Sequence, residues 1–157
     1  MGPEGKPHPQ YIKADSPPHP LEQRGESLGL KFTRGRERTS YSIPSLEAGE
    51  FAAEHGAGLN FHKAMFKAYF TDLRDISGTD VLLDVAGSVG LDTDALRDAL
   101  SSGEYRQQVL DGIEWSRSIG VTAVPTFVFD DQYGVVGAQP QEVLRQVMEQ
   151  LGHKPKN

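Results

Sequence analysis

The stretch Gly120-Val121-Thr122-Ala123-Val124-Pro125-Thr126-Phe127-Val128-Phe129 decides the fold class predicted for this chain. Its last four residues are β-branched or aromatic, which predicts a short strand. Pro125 stands at the first position of that strand, where the absence of a proline amide removes no hydrogen bond between strands. Polar residues at 130–132 predict a turn and the run 133–136 predicts a second strand, so this part of the chain is expected to form a β-hairpin.

Helical patterns fill most of the chain around this hairpin. Upstream, five predicted helices begin near Ser45, Asn60, Thr79, Asp92 and Glu104, and glycines mark several of their ends. Downstream, Pro140 suits the first turn of a last helix, whose apolar stripe runs to Leu151. The sequence predicts no further strand. We therefore expect a helix-rich α+β fold with one strand pair near the C-terminus.

The first 44 residues differ in composition from the rest. Six of the ten prolines lie among the first twenty residues, and residues 1–44 carry seven Lys or Arg against five Asp or Glu. Proline fixes φ and lacks an amide donor, which disfavours helix and central strand. We predict four segments: an irregular basic segment at 1–44, a helical domain at 45–120, a hairpin-and-helix unit at 121–152, and a tail at 153–157.

Composition excludes several classes of function. A net charge of −6 argues against nucleic acid as the main partner. No apolar run approaches the roughly 20 residues that span a bilayer, and the N-terminus has no apolar signal-peptide core, so we expect a cytoplasmic protein without a membrane partner. The absence of cysteine excludes disulfides, thiolate metal sites and a cysteine nucleophile within this chain. The five histidines are scattered, so we expect no metal site and no bound cofactor.

The stretch from about Leu46 to Leu151 resembles the DsbA-like thioredoxin-fold family and, within it, the FrnE-like cytoplasmic branch. The resemblance is carried by Phe66-Lys67-Ala68-Tyr69-Phe70, Gly90-Leu91-Asp92, the run from Gly120 to Phe127, and Gly137-Ala138-Gln139-Pro140. It implies a partial thioredoxin-like fold, in which a helical insertion domain precedes a C-terminal β-hairpin and helix. It also implies protein dithiol–disulfide oxidoreductase activity, with Pro125 as the cis-proline beside the redox site.

The same resemblance indicates where a substrate would bind. A cis Val124–Pro125 bond would turn the Val124 amide and carbonyl outward, where an extended peptide or a thiol protein could pair with them. Ala123, Val124 and Pro125 are therefore the expected substrate-binding residues. Val124 is β-branched and suits the extended backbone required before proline. We predict a cis bond here, against the ordinary alternative of a trans proline that begins a strand.

The Cys-x-x-Cys portion of that family is absent from this sequence. The family begins with a strand, a Cys-x-x-Cys motif at a helix N-terminus, that helix and a second strand. Because exchange requires a thiolate, we expect no catalytic residue here and a truncated, redox-inactive form of the oxidoreductase. Two alternatives stay open: a non-catalytic peptide-binding module that uses the cis-proline edge, and a glutathione-dependent isomerase of the same fold. Since the strand 126–129 would lack its usual neighbours, a homodimer or swapped oligomer is also expected.

Overall fold

The computed structural model describes residues 6–7, 15 and 17–153, and it has the predicted helix-rich α+β fold. Two short strands and five helical elements lie in the first half: β1 (Lys6–Pro7), α1 (Pro20–Ser27), β2 (Arg38–Thr39), α2 (Ile43–Glu54), α3 (Gly58–Phe66), a π-helical turn (Lys67–Thr71) and α4 (Thr79–Ser88). The remaining elements are α5 (Thr93–Ser102), α6 (Arg106–Ser118), β3 (Thr126–Phe129), β4 (Tyr133–Val136) and α7 (Gln141–Gln150).

The chain divides into two compact units, Met1–Leu110 and Asp111–Asn157. Helix α6 is continuous across residue 110. The predicted division into four segments stays a prediction. Part of its N-terminal segment, and residues 154–157 of its tail, lie outside the described residues.

The starts of four helices differ from those predicted, and one of them, α6, begins at Arg106 rather than Glu104. Helix α2 begins at Ile43 rather than after Ser45, because Pro44 in its first turn has a backbone angle already suited to the helix. The Ser45 hydroxyl lies inside that helix and donates to the Ser42 carbonyl at 2.8 Å. Helices α3 and α4 begin after Ala57 and Gly78, where no side chain caps the backbone.

Asp92 caps α5 as predicted. One of its carboxylate oxygens accepts from the backbone amides of Asp94 and Ala95, at 2.9 and 3.0 Å. These bonds satisfy two amides that have no partner inside the helix. The helix ends at Gly103 in the left-handed region, with φ of 69°.

A second strand pair, which the sequence analysis did not predict, joins β1 to β2. Lys6 lies opposite Thr39 and Pro7 opposite Arg38 in an antiparallel pair. Each strand has two residues, too few for a recognisable alternation. A two-stranded sheet contains only edge strands, so Pro7 is tolerated there despite its missing amide.

The apolar core of the first unit lies between α2, α3, α4 and α5. Its largest fully buried apolar side chains are Phe61, Leu82 and Leu96, one from each of the last three helices. Small residues of α2, Ala48 and Ala52, are also fully buried and allow the neighbouring helices to approach closely. None of the helices among the described residues is long and apolar enough to cross a membrane.

Three glutamates of α2 hold the start of α6 through polar contacts. They lie at i, i+3 and i+7 and therefore share one face of their helix. The pairs are Glu47 with Arg106 Nε at 2.8 Å, Glu50 with Gln108 Nε2 at 2.6 Å, and Glu54 with the Tyr105 hydroxyl at 2.8 Å. Burial of the phenol, together with its bond to Glu54, raises the pKa of Tyr105 to about 12. Glu47 is only 2% exposed, so Arg106 partners a carboxylate that water barely reaches.

Because Leu82 is fully buried in this core, we predict that shortening its side chain lowers the stability of the protein markedly. We expect Leu82→Ala to lower the free energy of unfolding by about 2–5 kcal/mol, because it removes buried methyl groups and leaves a cavity. Leu59→Ala makes the same chemical change at a side chain that is 70% exposed, and we expect it to change stability by less than about 0.5 kcal/mol. Urea unfolding followed by circular dichroism measures both, and equal losses would contradict the described core.

Candidate functional site

The loop between α6 and β3 contains the predicted cis peptide bond. Val124–Pro125 is cis, which confirms the prediction. The loop leaves the helix through a 2.9 Å bond from the Val121 amide to the Ser116 carbonyl. It is closed at the strand by the Thr126 hydroxyl, which donates to the Ala123 carbonyl at 2.7 Å. Ala123, Val124 and Pro125 are all exposed on this loop.

Residues just beyond β4 complete the backbone hydrogen bonding around Pro125. The Gly137 amide donates to the Pro125 carbonyl at 2.7 Å. Pro125 has no amide that could donate to the Gly137 carbonyl, and that carbonyl instead accepts from the Gln139 amide at 2.9 Å. The Gln139 side chain also donates to the Val136 carbonyl at 2.9 Å. Gly137 has φ of 88°, a conformation that glycine adopts without steric cost.

The register of the hairpin decides which backbone groups of β3 face outward. Thr126 lies opposite Val136, and Val128 lies opposite Gly134. The bond from Gly137 to Pro125, one residue before Thr126, shows that Pro125 belongs to the set of residues that bond to the partner strand. Residues of an antiparallel pair alternate between bonding to the partner strand and pointing away from it. Thr126 and Val128 therefore direct their amides and carbonyls to the outer edge. Within the part of the chain that the structure describes, β3 pairs with β4 alone, so this edge has no partner strand.

Val124 continues the outer edge beyond the strand. Its side chain is 90% exposed, more than any other large apolar side chain given for the described residues. Among those residues, neither its amide nor its carbonyl has a hydrogen-bond partner. We call the outward backbone groups of Thr126 and Val128, together with the free backbone groups of Val124 just before the strand, the β3 edge.

The turn that follows β3 is acidic and tightly formed. Asp130 and Asp131 both have positive φ, 49° and 55°, as in the type I′ turns that join antiparallel strands. The Gln132 amide closes the turn on the Phe129 carbonyl at 3.1 Å. Asp130 also contacts His153 Nε2 at 2.9 Å, beyond the end of α7. The sequence predicted this turn but gave its two carboxylates no role.

Exposed apolar side chains lie on both faces of the hairpin. Phe127 is 39% exposed on one face, and Val136 is 55% exposed on the other. Tyr133, on the same face as Phe127, is 53% exposed. A two-stranded hairpin with exposed apolar residues on both faces has little stability of its own. This unit therefore offers both unpaired backbone and apolar surface to another polypeptide.

The basic run 31–38 contacts other parts of the first unit. Arg34 forms an ion pair with Glu22, which lowers the pKa of that carboxyl. The Arg36 guanidinium lies 3.7 Å from the centre of the Tyr69 ring and donates to the Tyr69 carbonyl. The Thr33 amide donates to the Phe70 carbonyl at 2.9 Å. These contacts hold the run against the π-helical turn.

The described residues contain no cluster of metal ligands. Nowhere between residues 17 and 153 do three or more His, Asp or Glu side chains come together in a way that could hold a metal ion. The carboxylate pairs at 72/75 and 92/94 belong to turns and caps. Asp75 accepts from Ser77, and Asp92 caps α5.

The loop predicts a measurable role for the Thr126 hydroxyl. We expect Thr126→Val to lower the opening free energy of the hairpin by about 0.5–1.5 kcal/mol, because the Ala123 carbonyl loses its donor. Thr122→Val is the matched control, since Thr122 is exposed and its hydroxyl has no partner within the described residues. Native-state hydrogen exchange of the Phe127 and Phe129 amides measures the opening. Equal exchange rates in both variants would contradict the role of this bond.

The chain is similar to several known proteins. It is 25% identical to the Bacillus subtilis protein YwbO over 150 residues, covering 94% of this chain and 72% of that protein. It is 28% identical over 126 residues to SpxH of Halalkalibacterium halodurans, named a ClpXP adapter protein, which covers 74% of this chain and 41% of the relative. The structure of a probable DsbA oxidoreductase from Streptomyces coelicolor superposes with a TM-score of 0.77 at 28% identity.

The match to the Streptomyces structure covers 87% of this chain and 60% of that protein, so the chain spans less than two thirds of its length. The model of the DSBA-like thioredoxin domain family matches residues 8–149. That range includes the helical core, the cis-proline loop, the hairpin and nearly all of α7. This chain therefore belongs to the DSBA-like thioredoxin domain family.

Proposed function

We propose that this chain binds an extended polypeptide segment along the β3 edge, with Ala123, Val124 and Pro125 at one end of the contact. The observation that carries the proposal is the unpaired backbone of Val124, next to the unpaired edge of β3. Unpaired strand edges readily accept a further strand, and many peptide-binding domains use this mode.

The spacing of the free backbone groups suits such a segment. Thr126 and Val128 lie at i and i+2, the spacing at which one edge of an extended chain presents its own amides and carbonyls. A three-residue extended segment would span them, over roughly 7 Å at about 3.3 Å per residue, and its end would reach towards Val124. Exposed Val124 and Phe127 would supply apolar contact on the two faces of the added strand.

The amino-acid composition favours binding of a polypeptide without thiol–disulfide exchange. Thiol–disulfide exchange requires a thiolate nucleophile, and this chain contains no cysteine. The adapter name of the Halalkalibacterium relative also favours a binding role, since an adapter acts by contact with other proteins.

Dithiol–disulfide oxidoreductase activity is the second candidate. It is favoured by the family match and by the name of the Streptomyces structure. It would require cysteines that these 157 residues do not supply. A glutathione-dependent isomerase of the same fold remains a further alternative. The FrnE-like branch, the cytoplasmic location and the absence of nucleic-acid and membrane partners all remain predictions.

The binding proposal predicts an alternating pattern of amide protection. The amides of Val124, Thr126 and Val128 should exchange quickly in the free protein and slowly with a saturating apolar β-strand peptide, because the peptide supplies their missing acceptors. The amides of Phe127 and Phe129 already bond to β4 and serve as internal controls. Hydrogen exchange read by NMR measures all five.

A peptide of the same sequence with every second amide N-methylated along its pairing edge is the matched control. It keeps the apolar side chains but cannot donate to the β3 edge. We expect it to bind about 5- to 150-fold more weakly, since two hydrogen bonds of about 0.5–1.5 kcal/mol each are lost. Equal affinity, or protection confined to other regions, would contradict strand addition.

The absence of cysteine predicts no redox turnover by this chain. We expect insulin reduction and the refolding of scrambled ribonuclease to proceed at the rate of a no-protein control. Turnover above that control would refute the prediction. If the oxidoreductase candidate is correct, joining an upstream strand–Cys-x-x-Cys–helix–strand segment should produce turnover.

A further inference from the structure

The π-helical turn that ends α3 has an unusual hydrogen-bond register. The Asp72 amide donates to the Lys67 carbonyl, five positions back, at 3.0 Å. The Lys67 ammonium also contacts the Asp72 carboxylate at 2.6 Å, again across five positions. An α-helix pairs residues four positions apart, and π-helical turns are rare and frequent at functional sites. The register of this turn therefore needs a physical cause.

The backbone just after the turn is strained. Leu73 has φ of 56°, in the left-handed region that is unfavourable for a residue with a β-carbon. The Arg74 amide donates to the Ala68 carbonyl at 2.9 Å, six positions back. Residues 67–77 contain no glycine or proline that would stop an α-helix. The local sequence thus permits the helix to continue, and continuation would relieve the strain at Leu73.

Residues 31–36, which we call the strap, satisfy carbonyls that the turn leaves without a helical partner. The Thr33 amide donates to the Phe70 carbonyl at 2.9 Å. The Arg36 guanidinium donates to the Tyr69 carbonyl and lies 3.7 Å from the centre of the Tyr69 ring. Its positive charge at the C-terminal end of a helix is also favourable. The strap therefore caps the helix from more than thirty positions away in the sequence.

The same carbonyls have a second possible set of donors. In a continued α-helix the Tyr69 carbonyl would accept from the Leu73 amide, and the Phe70 carbonyl from the Arg74 amide. The last carbonyls of a helix point along its axis, so the strap donors occupy the space that the next helical turn would fill. The Arg74 amide, moreover, already bonds to Ala68. The two arrangements therefore exclude one another.

We propose that the strap is a latch that selects between these two registers. With the strap closed, α3 ends in the π-helical turn. With the strap released, residues 67–74 continue α3 as an α-helix, and the Asp72 and Arg74 amides bond four positions back, to Ala68 and Phe70. The released state loses the bonds from the strap, but it gains the relief of strain at Leu73.

Release of the strap would also change the surface around Phe70. Phe32 of the strap lies edge-on against Phe70, with the ring centres 5.5 Å apart. Phe32 also packs on the buried Gly25 of α1, where a β-carbon would lie 2.4 Å from the ring. The strap and α1 are further joined by the ion pair between Arg34 and Glu22. The two should move together, and a partner that binds one register better would shift the equilibrium.

The matched variants Leu73→Gly and Leu73→Ala test the latch. Both remove the leucine side chain beyond its β-carbon. Glycine adopts the left-handed conformation of the closed state freely, whereas alanine favours the α-helix. We expect the Thr33 amide to exchange with solvent about 5- to 30-fold more slowly in Leu73→Gly than in Leu73→Ala. Native-state hydrogen exchange read by NMR on the full chain measures both rates.

A second variant, Arg36→Met, removes the cap and keeps an unbranched apolar side chain. We expect the Thr33 amide to exchange about 10- to 150-fold faster, the range for one lost hydrogen bond to a charged group. The Asp72 and Arg74 amides should keep their protection, because each exchanges one acceptor for another. The control is Arg97→Met, at an exposed arginine that pairs within its own helix, and it should leave all three rates unchanged.

Scalar couplings across hydrogen bonds identify the acceptor of each amide. In the unaltered chain we expect the Asp72 amide nitrogen to couple to the Lys67 carbonyl carbon. In the variant that combines the alanine and methionine substitutions, it should couple to the Ala68 carbonyl carbon instead. The Leu82 amide, in the core helix α4, should exchange equally in every variant, because the latch opens without unfolding the core.

Three results would overturn the inference. Equal exchange of the Thr33 amide in Leu73→Gly and Leu73→Ala would show that the backbone at this position does not bias the strap. Joint loss of protection at Thr33, Asp72 and Arg74 in Arg36→Met would indicate fraying of the helix end rather than a change of register. Retention of the coupling to Lys67 in the combined variant would exclude the α-helical register. None of these amides lies in the β3 edge, so the proposed function is tested separately.

Discussion

The bond from the Gly137 amide to the Pro125 carbonyl sets the phase of the hairpin, on which the candidate site depends. An antiparallel partner satisfies only alternate backbone groups of a strand, and this 2.7 Å bond decides which alternate groups those are. Pairing of Pro125 and Phe127 with the residues opposite leaves Thr126 and Val128 facing outward. A shift of one residue would reverse both the free backbone groups and the faces of the side chains.

Proline at 125 is compatible with this pattern because its missing amide is compensated locally. The carbonyl of Gly137, which a different residue at 125 could bond, accepts from Gln139 instead. The run Gly137-Ala138-Gln139-Pro140 thus has a physical role. It satisfies the backbone opposite Pro125 and then begins α7. Around Pro125, in the part of the chain that the structure describes, Val124 and the outer side of β3 keep backbone groups without a partner.

The first unit is held together by different means from the second. Fully buried Phe61, Leu82 and Leu96 give it a conventional helical core. The described residues of the second unit contain no fully buried apolar side chain, and several of its large apolar residues are half-buried or exposed. A unit with so little buried apolar surface gains more stability from a bound partner than a well-packed one, because the partner supplies the missing contacts.

The family assignment and the chemistry of this chain lead to different expectations. Membership of the DSBA-like family is carried by the helices, the cis-proline loop and the hairpin. The exchange reaction depends on cysteine, a residue type absent from this sequence. The proposed binding of a polypeptide backbone can therefore be tested in this chain without any thiol chemistry.

Local sequence determined the hairpin, its acidic turn and the Asp92 cap, because each depends on residues within a few positions of one another. The cis bond at Val124–Pro125 was predicted mainly from the family resemblance. Only the tertiary structure revealed the β1–β2 pair and the contacts of Glu47, Glu50 and Glu54 with the start of α6. These contacts join residues more than thirty positions apart, so neither segment by itself identifies its partner, although the three glutamates lie at helical spacing. An unpaired edge on the strand 126–129 was already expected from the family resemblance, whereas its register with β4 was a tertiary result. The sequence predicted a strand, but the pairing partner decides which backbone groups remain available.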